Sequence, residues 1–146
     1  MRTSNDKLPK DVTSLCEQIV KGYERRKKDY KNKCIDIIYS HGSGVVEATA
    51  KQGTSDPCTA KTERLEQLEG SLDVKLMRAV EASLSMTGTD VGGDSCTRLH
   101  NAILLNCENG REFPYEVLNI DEFSRSDFYR RKRRFLKGIA EQLEIN

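Results

Sequence analysis

The sequence predicts an all-α protein of five or six helices, with a long N-terminal helix and a C-terminal helix-turn-helix. Three observations carry that expectation. Apolar residues recur at spacings of three, four and seven rather than in alternation, which is the period of a helix and not of a strand. Glycine and proline gather into a few short clusters that punctuate these stretches. Charged residues make up 32% of the 146-residue chain and aromatics only 6%, with no Trp. That balance suits exposed helices better than a deep enzyme pocket.

The first helix starts at Leu8-Pro9-Lys10-Asp11 and is expected to run to about Tyr39. Val12, Cys16, Ile19, Tyr23, Tyr30 and Ile37 form its seam, with Arg26 and Lys33 filling the missing steps. Such a helix has a charged middle, which favours packing inside the chain over an extended coiled coil. Ser40-His41-Gly42-Ser43-Gly44 ends it, and residues from about 40 to 57 read as a loop or weak hairpin. A second helical region spans about Thr59 to Met86 and carries Leu65, Leu68, Leu72, Leu76, Val80 and Leu84, with Gly70-Ser71 as a point of interruption. Thr87 to Gly93 reads as a flexible connection, after which Asp94 or Ser95 can cap a helix to about Glu108. These signals divide the chain into an N-terminal helical region, 1–93, and a helix-turn-helix region, 94–146.

Within the second region, Arg111 to Leu118 reads as a short helix entered through Pro114, whose missing amide hydrogen is harmless in a first turn. Asn119 to Phe123 makes a tight connection, with Val117, Leu118, Ile120 and Phe123 as its small core. The last helix then starts at about Arg125. Ser124 and Asp127 have the spacing of a capping box, and an acidic residue is favoured near the positive end of a helix. Phe128, the stem of Lys132, Phe135, Leu136, Ile139, Ala140 and Leu143 form one buried stripe.

The cations lie mostly off that stripe, and this bears on partners. The formal net charge is only +1, but its distribution is uneven. Between Lys21 and Lys33 seven cations face two acids, and between Arg125 and Lys137 seven face one. The interval from Cys34 to Ser124 holds fifteen acids and seven bases. A helix anchored on one side with cations on the other is suited to a polyanion, and in a helix-turn-helix the first turn of the second helix enters the major groove of double-stranded DNA. The expected DNA-binding residues are Arg125, Ser126, Asp127, Tyr129, Arg130, Arg131, Arg133, Arg134 and Lys137. The bland alternative for either basic block is a solvated face or a contact with an acidic protein.

The run Ser124-Arg125-Ser126-Asp127-Phe128-Tyr129-Arg130-Arg131 resembles the serine-arginine-serine-x-phenylalanine-tyrosine-arginine pattern of phage-type transcriptional regulators of the RinA and ArpU kind. The resemblance covers roughly residues 97 to 145, a third of the chain. It implies a C-terminal helix-turn-helix similar to region 4 of sigma factors, double-stranded DNA as partner, and RNA polymerase or another protein as a further one. The first half resembles uncharacterised proteins of Gram-positive bacteria and their mobile elements, which implies no activity.

Enzymatic signatures are missing: there is no phosphate-binding G-x-x-x-x-G-K-[ST], no G-x-G-x-x-G after a strand, no H-E-x-x-H and no G-x-S-x-G. Glu63, Glu66 and Glu69 recur every three residues but lack histidine partners, and read as a solvent face interleaved with Lys61 and Arg64. Five cysteines without a C-x-x-C pair are expected to be reduced, with Cys34 and Cys107 in the core. No catalytic residue, cofactor or metal site is expected. His41 reads as a helix-end residue and His100 as a partly buried helical one. No apolar run reaches the roughly 20 residues of a membrane span, so no membrane partner and a cytoplasmic location are expected. The reading is a small DNA-binding regulator, monomeric or weakly dimeric. A helical adaptor for an acidic partner and a small phage packaging subunit are the alternatives.

Overall fold

A computed structural model of the chain describes residues 8–39 and 57–145. Among these residues the protein is all-helical and has no strand. Six α-helices follow in order: α1 (Lys10–Lys21), α2 (Tyr23–Tyr39), α3 (Pro57–Glu69), α4 (Leu72–Ser85), α5 (Gly93–Glu108) and α6 (Arg125–Gln142). A single 3₁₀ turn, Tyr115–Val117, lies between α5 and α6. The expected loop at about 40–57, including His41, falls almost wholly outside the described residues.

The expected long N-terminal helix is two helices. Lys21 ends α1, and the Gly22 amide is shared between the carbonyls of Gln18 and Ile19, both at 3.2 Å. Glycine weakens a helix interior by about 1 kcal/mol relative to alanine, so the ladder gives way there. The consequence shows in the seam. Val12, Cys16, Ile19 and Tyr23 are buried, whereas Tyr30 and Ile37 are only half-buried.

Gly70-Ser71 does interrupt the second helical region, and the break resets its phase. In α4 the buried side is Val74, Met77, Ala79, Val80 and Ser83, while Leu72 is exposed. Helix α5 starts at Gly93 with Gly92 as N-cap and no side-chain cap, so neither Asp94 nor Ser95 caps it. Cys16 and Cys107 are buried and Cys34 is half-exposed, which corrects the expected pairing of Cys34 with the core.

The chain forms two compact units. The first comprises the N-terminal part up to Tyr23 together with everything from Leu76 onward, and the second runs from Glu24 to Lys75. An expected boundary near residue 93 therefore falls inside the first unit, where α1 packs on both α5 and α6. Its core is built from Cys16 and Val20 of α1, Met77 and Val80 of α4, Leu99 and Ile103 of α5, and Phe128, Phe135 and Ile139 of α6, all essentially inaccessible. Burying side chains of this size contributes roughly 1.5–3 kcal/mol each, which is what holds the unit together.

In the second unit polar contacts join α2 to α3 and to the first turn of α4, which carries Asp73. Arg26 Nε lies 3.4 Å from Asp73 Oδ1, and Lys61 Nζ donates to the Ile38 carbonyl at 2.8 Å, covering the carbonyl end of α2. The Tyr30 hydroxyl donates to the Glu69 carboxylate, an interaction that pushes the Tyr30 pKa up to about 12.

Candidate nucleic-acid interface

The candidate site is carried by α6, which forms where the sequence places it. Ser124 is the N-cap, and its hydroxyl accepts from the Asp127 amide at 3.1 Å. Phe128, Phe135, Leu136, Ile139 and Ala140 are buried; Lys132 is half-buried, its Nζ meeting Glu17 at 3.0 Å, and Leu143, expected in the buried stripe, is half-buried beyond the helix end. One side of the helix is thus committed to α1 and the core.

The segment before it differs from expectation. The first helix of the expected pair is reduced to the one 3₁₀ turn, and the reason is local. The Asn109 side chain accepts from the Arg111 and Glu112 amides at 3.2 and 3.1 Å, an Asx-type turn that competes with helix. Pro114 then sits in extended backbone, and Asn119 takes a positive φ of 54° that stops propagation on the other side. Ile120 and Phe123 are buried as expected, but Val117 faces solvent. The Tyr115 hydroxyl donates to the Phe123 carbonyl and fastens the turn to the start of α6. A helix pair with α6 as second member and a full first helix is therefore not what the chain builds.

The nine expected DNA-binding residues separate into two groups. At about 100° per residue, Ser126, Arg130, Arg133, Arg134 and Lys137 share one face roughly 100° wide, opposite the buried stripe. Ser126, Arg130, Arg133 and Arg134 are exposed and Lys137 is half-exposed. From Ser126 to Lys137 that ridge spans about 16 Å at 1.5 Å per residue.

The other four are turned to structural work. Arg131 retains only 15% of its side-chain exposure, against 48% for Arg130. Its two terminal nitrogens grip the Asp90 carboxylate at 2.9 and 2.8 Å, its Nε meets Asp127 at 3.0 Å, and its guanidinium lies 5.1 Å from the centre of the Phe123 ring. This fork holds Asp90 down to a pKa of about 2. Partial burial raises the Asp127 carboxyl, but hydrogen bonds from Arg130 and Arg131 outweigh it and leave the group below its ordinary value. Asp127 is thus a hub for its own helix. Tyr129 packs edge-on against Phe128 at 5.1 Å, and Arg125 lies over the Tyr129 ring at 5.3 Å with Glu116 3.5 Å away. Arg125 and Tyr129 therefore lie off the ridge.

Two further features escaped the sequence. Thr87 to Gly93, expected to be a flexible connection, is pinned: Asp90 by Arg131, the Thr87 hydroxyl to the Ser83 carbonyl at 2.8 Å, and the Thr87 carbonyl by His100 Nε2 at 2.7 Å. Between this segment and α6 lies a cleft of about 580 Å³ that includes Thr87, Thr89, Asp90, Arg130, Arg134 and Glu141 in its walls. A shallower depression at the start of α6 is bordered by Ser124, Ser126, Asp127, Arg130 and Arg133. The arrangement presents cations and hydroxyls along a helix, which is the equipment for phosphate oxygens. Among the described residues no group of His, Cys, Asp and Glu could hold a metal ion, and no helix is long and apolar enough to cross a membrane. Comparison with protein-family models, curated proteins and solved structures gives no match for the chain.

Proposed function

We propose that the protein binds double-stranded DNA through the exposed ridge of α6. The supporting observation is the segregation of that helix: Arg130, Arg133, Arg134 and Lys137 share one side with Ser126, while the opposite side is locked into the core. Phosphate neutralisation by such a row supplies affinity without sequence information, and the Ser126 and Arg130 end of the ridge is the part suited to reach base edges. Arg131 is no part of this set, because its donors are engaged by Asp90 and Asp127.

The finer reading is a transcriptional regulator of the RinA and ArpU kind, with RNA polymerase as a further partner and a cytoplasmic location. It rests on the Ser124 to Arg131 motif. In this chain the motif would act from a single basic helix braced by α1, since the preceding element is one 3₁₀ turn.

The test is duplex binding by fluorescence anisotropy across a salt series. The logarithm of the binding constant falls linearly with the logarithm of salt concentration, and the slope reports the number of phosphates neutralised. Replacing Arg130 and Arg133 by Ala is expected to flatten the slope by about one to two units with helicity retained. A folded double variant that binds like the parent removes the assignment. Absence of duplex affinity in the parent at near-physiological salt favours an adaptor for an acidic protein instead.

A further inference from the structure

The second unit carries two oppositely charged helical faces side by side. On α2, Lys28, Lys31, Ile35 and Ile38 follow at spacings of three, four and three, so they line one exposed strip. Ile35 and Ile38 are 41% and 47% exposed, and Tyr39 beyond them is more exposed still. On α3 the solvent side holds Thr59, Thr62, Glu63 and Glu66 and no cation. Lys61 and Arg64, which the sequence suggested would interleave with these acids, are half-buried, and Lys61 is spent on the Ile38 carbonyl. The acids are thus left unbalanced on their own face. No residue of α3 from Cys58 onward is buried, so this helix pair has little core of its own.

We propose that this unit is a self-association surface, in which the α2 strip of one copy docks on the α3 face of a second copy, and the reverse. Charge complementarity selects the occupant. Lys28 and Lys31 call for acids, Glu63 and Glu66 call for cations, and a second copy brings both in one two-fold contact. It also covers Ile35 and Ile38, which phosphate oxygens would not. A duplex docking on the α2 strip would meet the carboxylates of the neighbouring helix and be repelled. This surface is separate from the α6 ridge, and its failure would leave the DNA reading untouched.

The experiment is sedimentation velocity of the full chain over a concentration series, at about 50 mM and about 0.5 M salt. The Debye length shrinks severalfold between the two, so contacts between exposed charges weaken. The parent is expected to associate at low salt and dissociate at high salt. Lys28→Glu/Lys31→Glu and Glu63→Lys/Glu66→Lys, each confirmed folded by circular dichroism, are expected to weaken self-association at least about tenfold. Their equimolar mixture is expected to recover it, because the reversed charges again meet opposites. A parent that stays monomeric at every concentration overturns the proposal, as does association indifferent to salt and to both reversals, or a mixture that fails to recover. A monomeric parent whose Lys28→Glu/Lys31→Glu variant loses duplex affinity assigns the strip to nucleic acid instead.

Discussion

Ser83 on α4 and Gly138 on α6 meet where the two helices pack in the first unit. The Ser83 hydroxyl donates to the Phe135 carbonyl at 2.7 Å in a buried setting, and a Cβ placed on Gly138 would lie 2.2 Å from the same Oγ. Gly138 is therefore required by its neighbour and not by its own backbone, whose φ is not positive.

Gly138→Ala is accordingly expected to destabilise the protein by about 1–3 kcal/mol, despite alanine's better helix propensity, because overpacking exceeds that gain. Combining it with Ser83→Ala should cost less than the sum of the two single changes, since the clashing oxygen is gone. Thermal melts of the three variants measure this. Additive losses would show that the clash is relieved elsewhere.

Phe135 is wholly buried, whereas Arg133 two residues before it is exposed on the ridge. Phe135→Ala is expected to cost about 3–5 kcal/mol and Arg133→Ala less than about 0.5 kcal/mol. Denaturant titration distinguishes them, and equal midpoints would contradict the phasing of α6.

Arg130 and Arg131 are adjacent in sequence and opposite in role. Arg131→Ala is expected to lower the melting temperature, and Arg131→Lys to rescue it poorly, because an ammonium cannot reproduce the two-pronged grip on Asp90 while also meeting Asp127. Arg130→Ala should leave the melt nearly unchanged and weaken duplex binding. The reverse pattern would exchange their assignments.

Acid sensitivity follows from two depressed carboxyls. A hydrogen bond from Arg131 holds Asp90 at about 2 against an ordinary 3.8, and one from Arg98 holds Glu122 at about 2 against 4.5. Groups depressed on folding contribute stability that is fully present above their unfolded values and lost as pH falls toward the folded ones. Melting temperature should therefore fall between about pH 4.5 and 2, and less steeply in Asp90→Asn/Glu122→Gln. An unchanged slope in that variant would show that other carboxyls control the acid limb.

Thiol reactivity should report the core. Burial pushes the Cys107 thiol up to about 12 and raises Cys16 as well, while Cys58 is exposed. Maleimide labelling followed by mass spectrometry is expected to modify Cys58 rapidly and Cys16 and Cys107 only on unfolding. Early labelling of Cys107 would place it outside the core.

The sequence by itself determined α6: the Ser124 cap, the start at Arg125 and the stripe from Phe128 to Ala140 are consequences of local hydrogen bonding and of a 3.6-residue period, both written within one segment. The all-helical class and the break at Gly70-Ser71 were legible for the same reason. What tertiary structure decided is which of several equivalent side chains is used, and for what. Helical phase puts Arg130 on the ridge and Arg131 off it, but that Arg131 grips a carboxylate is decided by Asp90, brought there by a connection some forty residues earlier. Lys61 and Arg64 read as surface partners of the α3 acids until α2 lies alongside and draws Lys61 to the Ile38 carbonyl. Gly138 carries no local signal either, because its reason is the oxygen of Ser83 on another helix. Periodicity tells which side of a helix is buried; charges and glycines acquire their roles from neighbours distant in sequence, through short-range forces that act only once the chain has folded.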